Sequence, residues 1–228
     1  MQRKVSFAVG EFYHVYNRGT DKRIIYIEDS DYTRFLSLLY LCNSNVPVNI
    51  RDQFPKGLSF VDFAKFQKGV EIVDICAYCL MPNHFHLLLR EKEENGITKF
   101  LTKLSTGYSM YFNKKHHRTG KLFENVYKAI HIENDEYLKY LLSYIHLNPI
   151  KIIDPTWKEN GISDKVRAKR FLKEYTPSSY MDYLGEERLE HIILNKHALP
   201  DYFGQFKEFE DFVDFWLNDK GKTFGNMK

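Results

Sequence analysis

Two histidines separated by a single residue, His84-Phe85-His86, lie in a run of strand-forming residues from Val73 to Leu89. Successive side chains on a strand point to opposite faces, so His84 and His86 project together while Phe85 and Leu87 point the other way. Neutral imidazole is a common metal ligand, and two on one strand face make two legs of a metal site. The plainer alternative is a pair of surface histidines on a half-buried strand.

A second group downstream adds to the first. In Tyr144-Ile145-His146-Leu147-Asn148-Pro149, Tyr144 and Asn148 stand four residues apart and share one face of a helix. Placed over the histidine strand, Asn148 offers an amide oxygen to complete a metal site, and Tyr144 offers a phenolic nucleophile. A phenol ordinarily ionises near pH 10, so it needs help from a metal or a base. A metal that polarises a phosphodiester oxygen supplies such help, and the set suits phosphoryl transfer through a phosphotyrosine. The chain holds 16 tyrosines, and Tyr108, Tyr111, Tyr137 and Tyr140 compete for the role. His146, about 200° around the helix from Tyr144, reads as a helix-surface residue.

The elements that must carry these groups follow from periodicity and punctuation. Phe12 to Gly19 reads as a first strand ending in a turn. Asp29-Ser30-Asp31 caps a helix with a buried stripe at Tyr32, Phe35, Leu36, Leu38, Leu39 and Leu41. Residues 43–69 are polar, broken by Pro47, Pro55 and Gly57, and read as an insertion with a short helix near Phe60–Phe66. Two strands, Val70–Cys79 and Asn83–Arg90, pair through a tight turn at Met81-Pro82. A helix starts near Gly96, a basic loop spans 114–121, and a strand is expected over Phe123–Ile132. Asn134-Asp135 caps a third helix that Pro149 stops. The order β-α-β-β-α-β-α is that of an α+β, ferredoxin-like antiparallel sheet with helices on one face. Residues 1–154 make one domain on this reading, and 155–228 make a helical C-terminal extension.

Composition sets outer limits. The 228 residues, 43% of them hydrophobic, suffice for a substantial core. No apolar run approaches the roughly 20 residues that span a bilayer. Residues 1–20 carry no signal-peptide pattern, so a cytoplasmic location is expected. The net charge is only +3, but Lys114-Lys115-His116-His117-Arg118-Thr119-Gly120-Lys121 is densely basic, while Glu186-Glu187 and Glu208-Phe209-Glu210-Asp211 are acidic. That split fits a basic working face and an acidic outer extension. Cys42, Cys76 and Cys79 make no disulfide framework and read as core thiols, with Cys76 and Cys79 facing opposite sides of their strand.

Three separated motifs carry a family resemblance. Met81-Pro82-Asn83-His84-Phe85-His86-Leu87-Leu88, Arg118-Thr119-Gly120-Lys121-Leu122-Phe123-Glu124 and Tyr144-Ile145-His146-Leu147-Asn148-Pro149 resemble the HUH-superfamily single-tyrosine transposases. The nearest branch is the REP-associated tyrosine transposases, relatives of the transposase A of minimal insertion sequences. Tyr13-His14-Val15-Tyr16-Asn17-Arg18-Gly19 is similar to that family's first strand, and residues 165–185 look like its C-terminal tail. The resemblance covers about residues 10–152. It implies His84 and His86 as metal ligands, Tyr144 as nucleophile, and Asn148 as auxiliary ligand where some relatives have glutamine. It implies Mg²⁺ or Mn²⁺, although two imidazoles favour a softer ion. The implied substrate is single-stranded DNA, often adjoining a hairpin, cleaved to a 5′-phosphotyrosine and a free 3′-hydroxyl without a nucleotide cofactor.

Candidate DNA contacts are Lys103, Lys114, Lys115, Arg118 and Lys121 for the backbone, with Asn17 and Arg18 at a strand end. The competing readings are a domesticated protein that binds a DNA hairpin without transposing it, and a small-substrate metal hydrolase lacking an evident third ligand. The sequence leaves open monomer or homodimer, and whether Tyr144 serves its own chain's histidines or a partner's.

Overall fold

The computed structural model describes residues 5–47, 49, 60–202 and 206–218. Much of the expected insertion, residues 48 and 50–59, lies outside the described residues. In chain order run β1 (Phe12–Arg18), α1 (Asp29–Cys42), the short α2 (Phe60–Ala64), β2 (Val73–Met81), β3 (His84–Glu91), α3 (Gly96–Lys115), β4 (Lys128–His131) and α4 (Asp135–Leu147). With α2 assigned to the insertion, this is the ferredoxin-like order read from the sequence.

The four strands form one sheet in the order β2-β3-β1-β4, every neighbouring pair antiparallel. Its ends are set by local chemistry. Asp31, three residues into α1, accepts the backbone N–H of Ile27 and Glu28, so Glu28 rather than the Asp29–Asp31 triplet caps the helix. Asn134 caps α4 by accepting the Tyr137 N–H at 2.8 Å. The hairpin turns at Pro82-Asn83, with Met81 opposite His84. Strand β4 is shorter than expected. The segment before Lys128 arches around the end of β1, where the Asn17 amide donates to the carbonyls of Asn125 and Val126 in place of a ladder.

The sheet is covered on both faces, not one. Tyr13, Val15, Phe85, Leu87 and Leu89 pack against α1 and α3. On the other face Cys76, Ala77, Cys79 and Leu88 pack against α4 and the extension. The reason lies in β2, whose nine residues are all buried; a strand apolar on both sides needs two covers. A bulge between Ile75 and Ala77 shifts the register of β2, and this places Cys76 and Cys79 in the same core rather than on opposite faces. Both thiols are free and buried.

A short α5 (Ile150–Ile153) ends the first domain, and the extension consists of α6 (Trp157–Asn160), α7 (Lys165–Glu174), α8 (Tyr180–Tyr183) and α9 (Phe206–Asn218), with 3-10 turns between α8 and α9. Trp157, Tyr180, Phe209 and Trp216 complete the core begun by α4. Residues 177–179 bond to the outer edge of β2, through Leu80 N–H to the Pro177 carbonyl and Ser179 N–H to the Tyr78 carbonyl. An edge that would otherwise offer free backbone groups is thereby occupied. Two acidic residues of the extension pair within it, Glu210 with Lys173 and Asp214 with Lys169. Among the described residues no helix is long and apolar enough to cross a membrane.

Candidate functional site

Antiparallel register decides which side chains meet. His86 stands opposite Tyr16 and His84 opposite Arg18, with His14 two residues further along the same face of β1. Directly opposed residues share a face, so β1 contributes a third histidine to the pair on β3. The His14 Nε2 and His86 Nδ1 atoms are 2.8 Å apart, and the two rings stack with centroids separated by 5.1 Å. The signal was present in the alternation His14, Tyr16, Arg18, but which face it joined depended on pairing.

Helix α4 lies over these rings. The Tyr144 ring sits edge-on to His86 at 5.6 Å and to His14 at 6.1 Å between centroids, so Tyr144 meets the histidines of its own chain. Its rivals are placed elsewhere. Tyr108 donates to the Ile25 carbonyl and Tyr111 to Asp31, both under the opposite face of the sheet. Tyr140 packs on Trp216, and Tyr137 stacks on Tyr140. Tyr16, which the sequence did not single out, flanks His86 at 5.7 Å. His146 is fully buried instead of on the surface, bonded to Ser179 Oγ at 2.8 Å and packed on Tyr183 and Phe209. The extension covers the face that periodicity assigned to solvent.

These groups line one cleft of about 630 Å³. His84, His86, Tyr144, Asn148, Asn17 and Arg18 all border it, joined by Lys22, Lys128, Lys151 and Lys158. The other candidate DNA contacts do not line it. Lys103 donates to the Ser44 carbonyl, Lys115 pairs with Glu28 and Asp31, and Arg118 bonds to Asn113 while lying over Phe112. Lys114 and Lys121 are exposed. Arg18 forms a pair with Glu124, the carboxylate at the cleft wall. Asn17 is buried and spends its amide N–H groups on the arch before β4.

Burial sets the protonation of the site. The His14 imidazole is pushed down to about 3 by desolvation, then by the Lys158 charge. His84 is pushed down to about 4 by the same two causes, with Lys151 and Arg18 adding to them. His86 falls well below the ordinary histidine range through burial and its two histidine neighbours. Tyr144 is raised by burial, against a lowering contribution from its hydrogen bond with Asn148. All three imidazoles are thus neutral at pH 7, the form that can ligate a metal.

The donor set can be tested against a divalent ion. The Asn83 amide nitrogen donates to the Lys22 carbonyl, which turns its Oδ1 toward His84 Nδ1 at 2.6 Å. Nδ1 of His84 therefore carries the proton and Nε2 is bare. In the tautomer that donates from His86 Nδ1 to His14, Nε2 of His86 is bare as well. Asn148 Nδ2 donates to the Tyr144 carbonyl at 2.9 Å, and its Oδ1 accepts from Lys158 at 3.4 Å. Among the described residues no group of three or more His, Cys, Asp or Glu side chains is arranged to hold a metal. The residues fit an open site, in which an ion held by two imidazoles draws its other ligands from solvent or substrate.

Stability carries the mark of these buried bases. In the unfolded chain each histidine titrates near 6.5, whereas His14 and His146 lie near 3 and His84 near 4 when folded. Between those values the unfolded state binds more protons. Their contribution is therefore complete above about pH 6.5 and is lost as the pH falls toward 4. Thermal unfolding with chelator present is expected to lose about 1.4 kcal/mol per pH unit for each such histidine below pH 6. A melting temperature unchanged between pH 7.5 and 5 would contradict this.

Residues 60–148 match the family described as Transposase IS200 like, a span that contains His84, His86, Tyr144 and Asn148. Of the motifs that carry the resemblance, residues 81–88 and 118–124 lie wholly within that span and residues 13–19 lie outside it. No curated protein matches the chain. A solved structure described as the REP-associated tyrosine transposase bound to a REP hairpin aligns with 83% of this chain and 90% of that one, at 11% sequence identity and a TM-score of 0.49.

Proposed function

We propose, for a chain whose residues 60–148 match the IS200-like transposase family, a metal-dependent endonuclease and strand transferase acting on single-stranded DNA through Tyr144. The observation that carries this reading is the Tyr144 ring set edge-on against His86, beside two neutral histidines in a lysine-rich cleft. The substrate is single-stranded DNA adjoining a hairpin, as the family resemblance implies. The cations Lys22, Lys128 and Lys151 along the cleft suit its phosphates.

His84 and His86 would hold Mg²⁺ or Mn²⁺, with Asn148 as auxiliary ligand. When bound, the ion polarises a phosphate oxygen and lowers the barrier to attack. The Tyr144 hydroxyl oxygen bonds to phosphorus as the bond from phosphorus to the 3′-oxygen breaks. The phenolic proton is given up and the leaving 3′-oxygen gains one, which leaves a 5′-phosphotyrosine and a free 3′-hydroxyl. The link preserves the phosphodiester energy, so a 3′-hydroxyl from another end can reverse the step and join strands. The contact of Tyr144 with His86 in the same chain supports cleavage within one protomer, by a monomer or within a homodimer. A homodimer would bring two DNA ends together.

The test uses a labelled single-stranded hairpin oligonucleotide drawn from the flanks of the gene. Incubated with the full chain and Mn²⁺, it is expected to yield a covalent band on a denaturing protein gel, and none in EDTA. Two imidazole ligands favour Mn²⁺ over Mg²⁺ at equal concentration. Tight binding without any band, across both ions, would remove the nuclease reading and leave a hairpin-binding protein.

A further inference from the structure

The extension places a cation where the chemistry is expected. Trp157 and Lys158 are neighbours in α6, with the Lys158 ammonium 5.5 Å from the centre of the Trp157 ring. Trp157 is buried in the core beneath α4, whereas Lys158 reaches into the cleft. Its ammonium lies 4.0 Å from the centre of the Tyr144 ring and 3.4 Å from Asn148 Oδ1. Arg18, Lys22, Lys128 and Lys151 also line the cleft, two of them with contacts of their own. Arg18 is paired with Glu124, and Lys128 lies over Tyr16 at 5.8 Å. Lys158 forms no ion pair with a carboxylate among the described residues, although it is withdrawn from full exposure. A partly desolvated ammonium beside neutral rings is costly unless an anion joins it.

We infer that Lys158, brought in by the C-terminal extension, is the cation that contacts the scissile phosphodiester while Tyr144 attacks it. This rests on the reading of Tyr144 as the nucleophile. Attack adds an oxygen to phosphorus before the 3′-oxygen departs, so negative charge builds on the non-bridging oxygens. A fixed ammonium against the attacking ring stabilises that charge. Through its bond to Asn148 Oδ1 it also holds the amide that braces the last turn of α4. The extension therefore supplies part of the active site as well as covering a core.

The experiment compares wild type with Lys158→Met in single-turnover adduct formation, full chain, Mn²⁺ present. Two oligonucleotides are used, one normal and one with an uncharged methylphosphonate at the scissile position. On the normal strand the variant is expected to be about 100-fold slower, the scale of losing one preorganised electrostatic group. Its oligonucleotide affinity should fall less than about tenfold, as for one phosphate contact among several. On the methylphosphonate strand the penalty should shrink below about tenfold, because the charge that Lys158 meets is gone. Lys158→Gln gives the same comparison should the Met variant unfold, and Lys158→Arg should recover much of the rate. Equal penalties on both strands, or a normal-strand rate within about threefold of wild type, would overturn the role of Lys158 alone. Absence of an adduct from wild type would overturn it together with the Tyr144 reading.

Discussion

Tyr144→Phe is expected to eliminate the covalent protein–DNA band while leaving oligonucleotide binding within about threefold of wild type, since only one hydroxyl is removed. Loss of a nucleophile costs on the order of a thousandfold or more in rate, because no neighbouring group can replace the bond it forms. The aromatic body of Tyr144 is retained in phenylalanine, so its edge contacts with His14 and His86 persist. The hydroxyl's hydrogen bond with Asn148 is the structural loss, worth about 1 kcal/mol. Mass mapping of the adduct in wild type should place the phosphate on the peptide containing Tyr144. Tyr16→Phe is the informative control, since Tyr16 is the other tyrosine against His86, at 5.7 Å. A band that survives Tyr144→Phe and disappears with Tyr16→Phe would move the nucleophile to β1.

The largest stability effect is expected far from the cleft. Arg188 donates to both carboxylate oxygens of Asp182, to the Tyr78 hydroxyl, and to the carbonyls of Thr176 and Ser178. The Asp182 side chain is fully buried and that of Arg188 is 14% exposed. Arg188→Ala would leave a buried carboxylate without its partner, a change that costs about 3–5 kcal/mol. For a chain of this length that corresponds to roughly a 10 °C fall in melting temperature. Replacing both partners, Arg188→Met with Asp182→Leu, should recover most of the loss because no charge is then stranded. Arg18→Ala provides the contrast. Its pair with Glu124 is 45% and 35% exposed, so solvent screens it and little stability is expected to be lost. A loss from Arg188→Ala no larger than that from Arg18→Ala would refute the buried-pair account.

Sequence reasoning placed His84, His86, Tyr144 and Asn148 on a strand and a helix, and the structure brings all four to one cleft. That was possible because the two periodicities, 2 for strands and 3.6 for helices, assign faces from local spacing alone. The same arithmetic misplaced Cys76, since one extra residue at a bulge reverses the alternation without any local mark. It also misplaced His146, whose helix face is polar by position but is covered by residues more than 30 positions later. The basic loop drew attention as a phosphate contact, yet Lys115 folds back on Asp31 and Glu28. The lysines that reach the cleft are scattered singly along the chain and formed no cluster to read.

By itself, the sequence determined the order of elements, the Asn134 cap, the place of the hairpin, and the chemical types gathered on one strand face and one helix face. All of these depend on neighbours within a few residues. Tertiary structure decided that His14 stacks on His86, that Tyr16 flanks His86, that Lys158 lies over Tyr144, and that the extension closes the second core. Those outcomes depend on strand register and on contacts between segments far apart in the chain. They are settled by which apolar surfaces can be buried together, a quantity that exists only once the whole chain is packed.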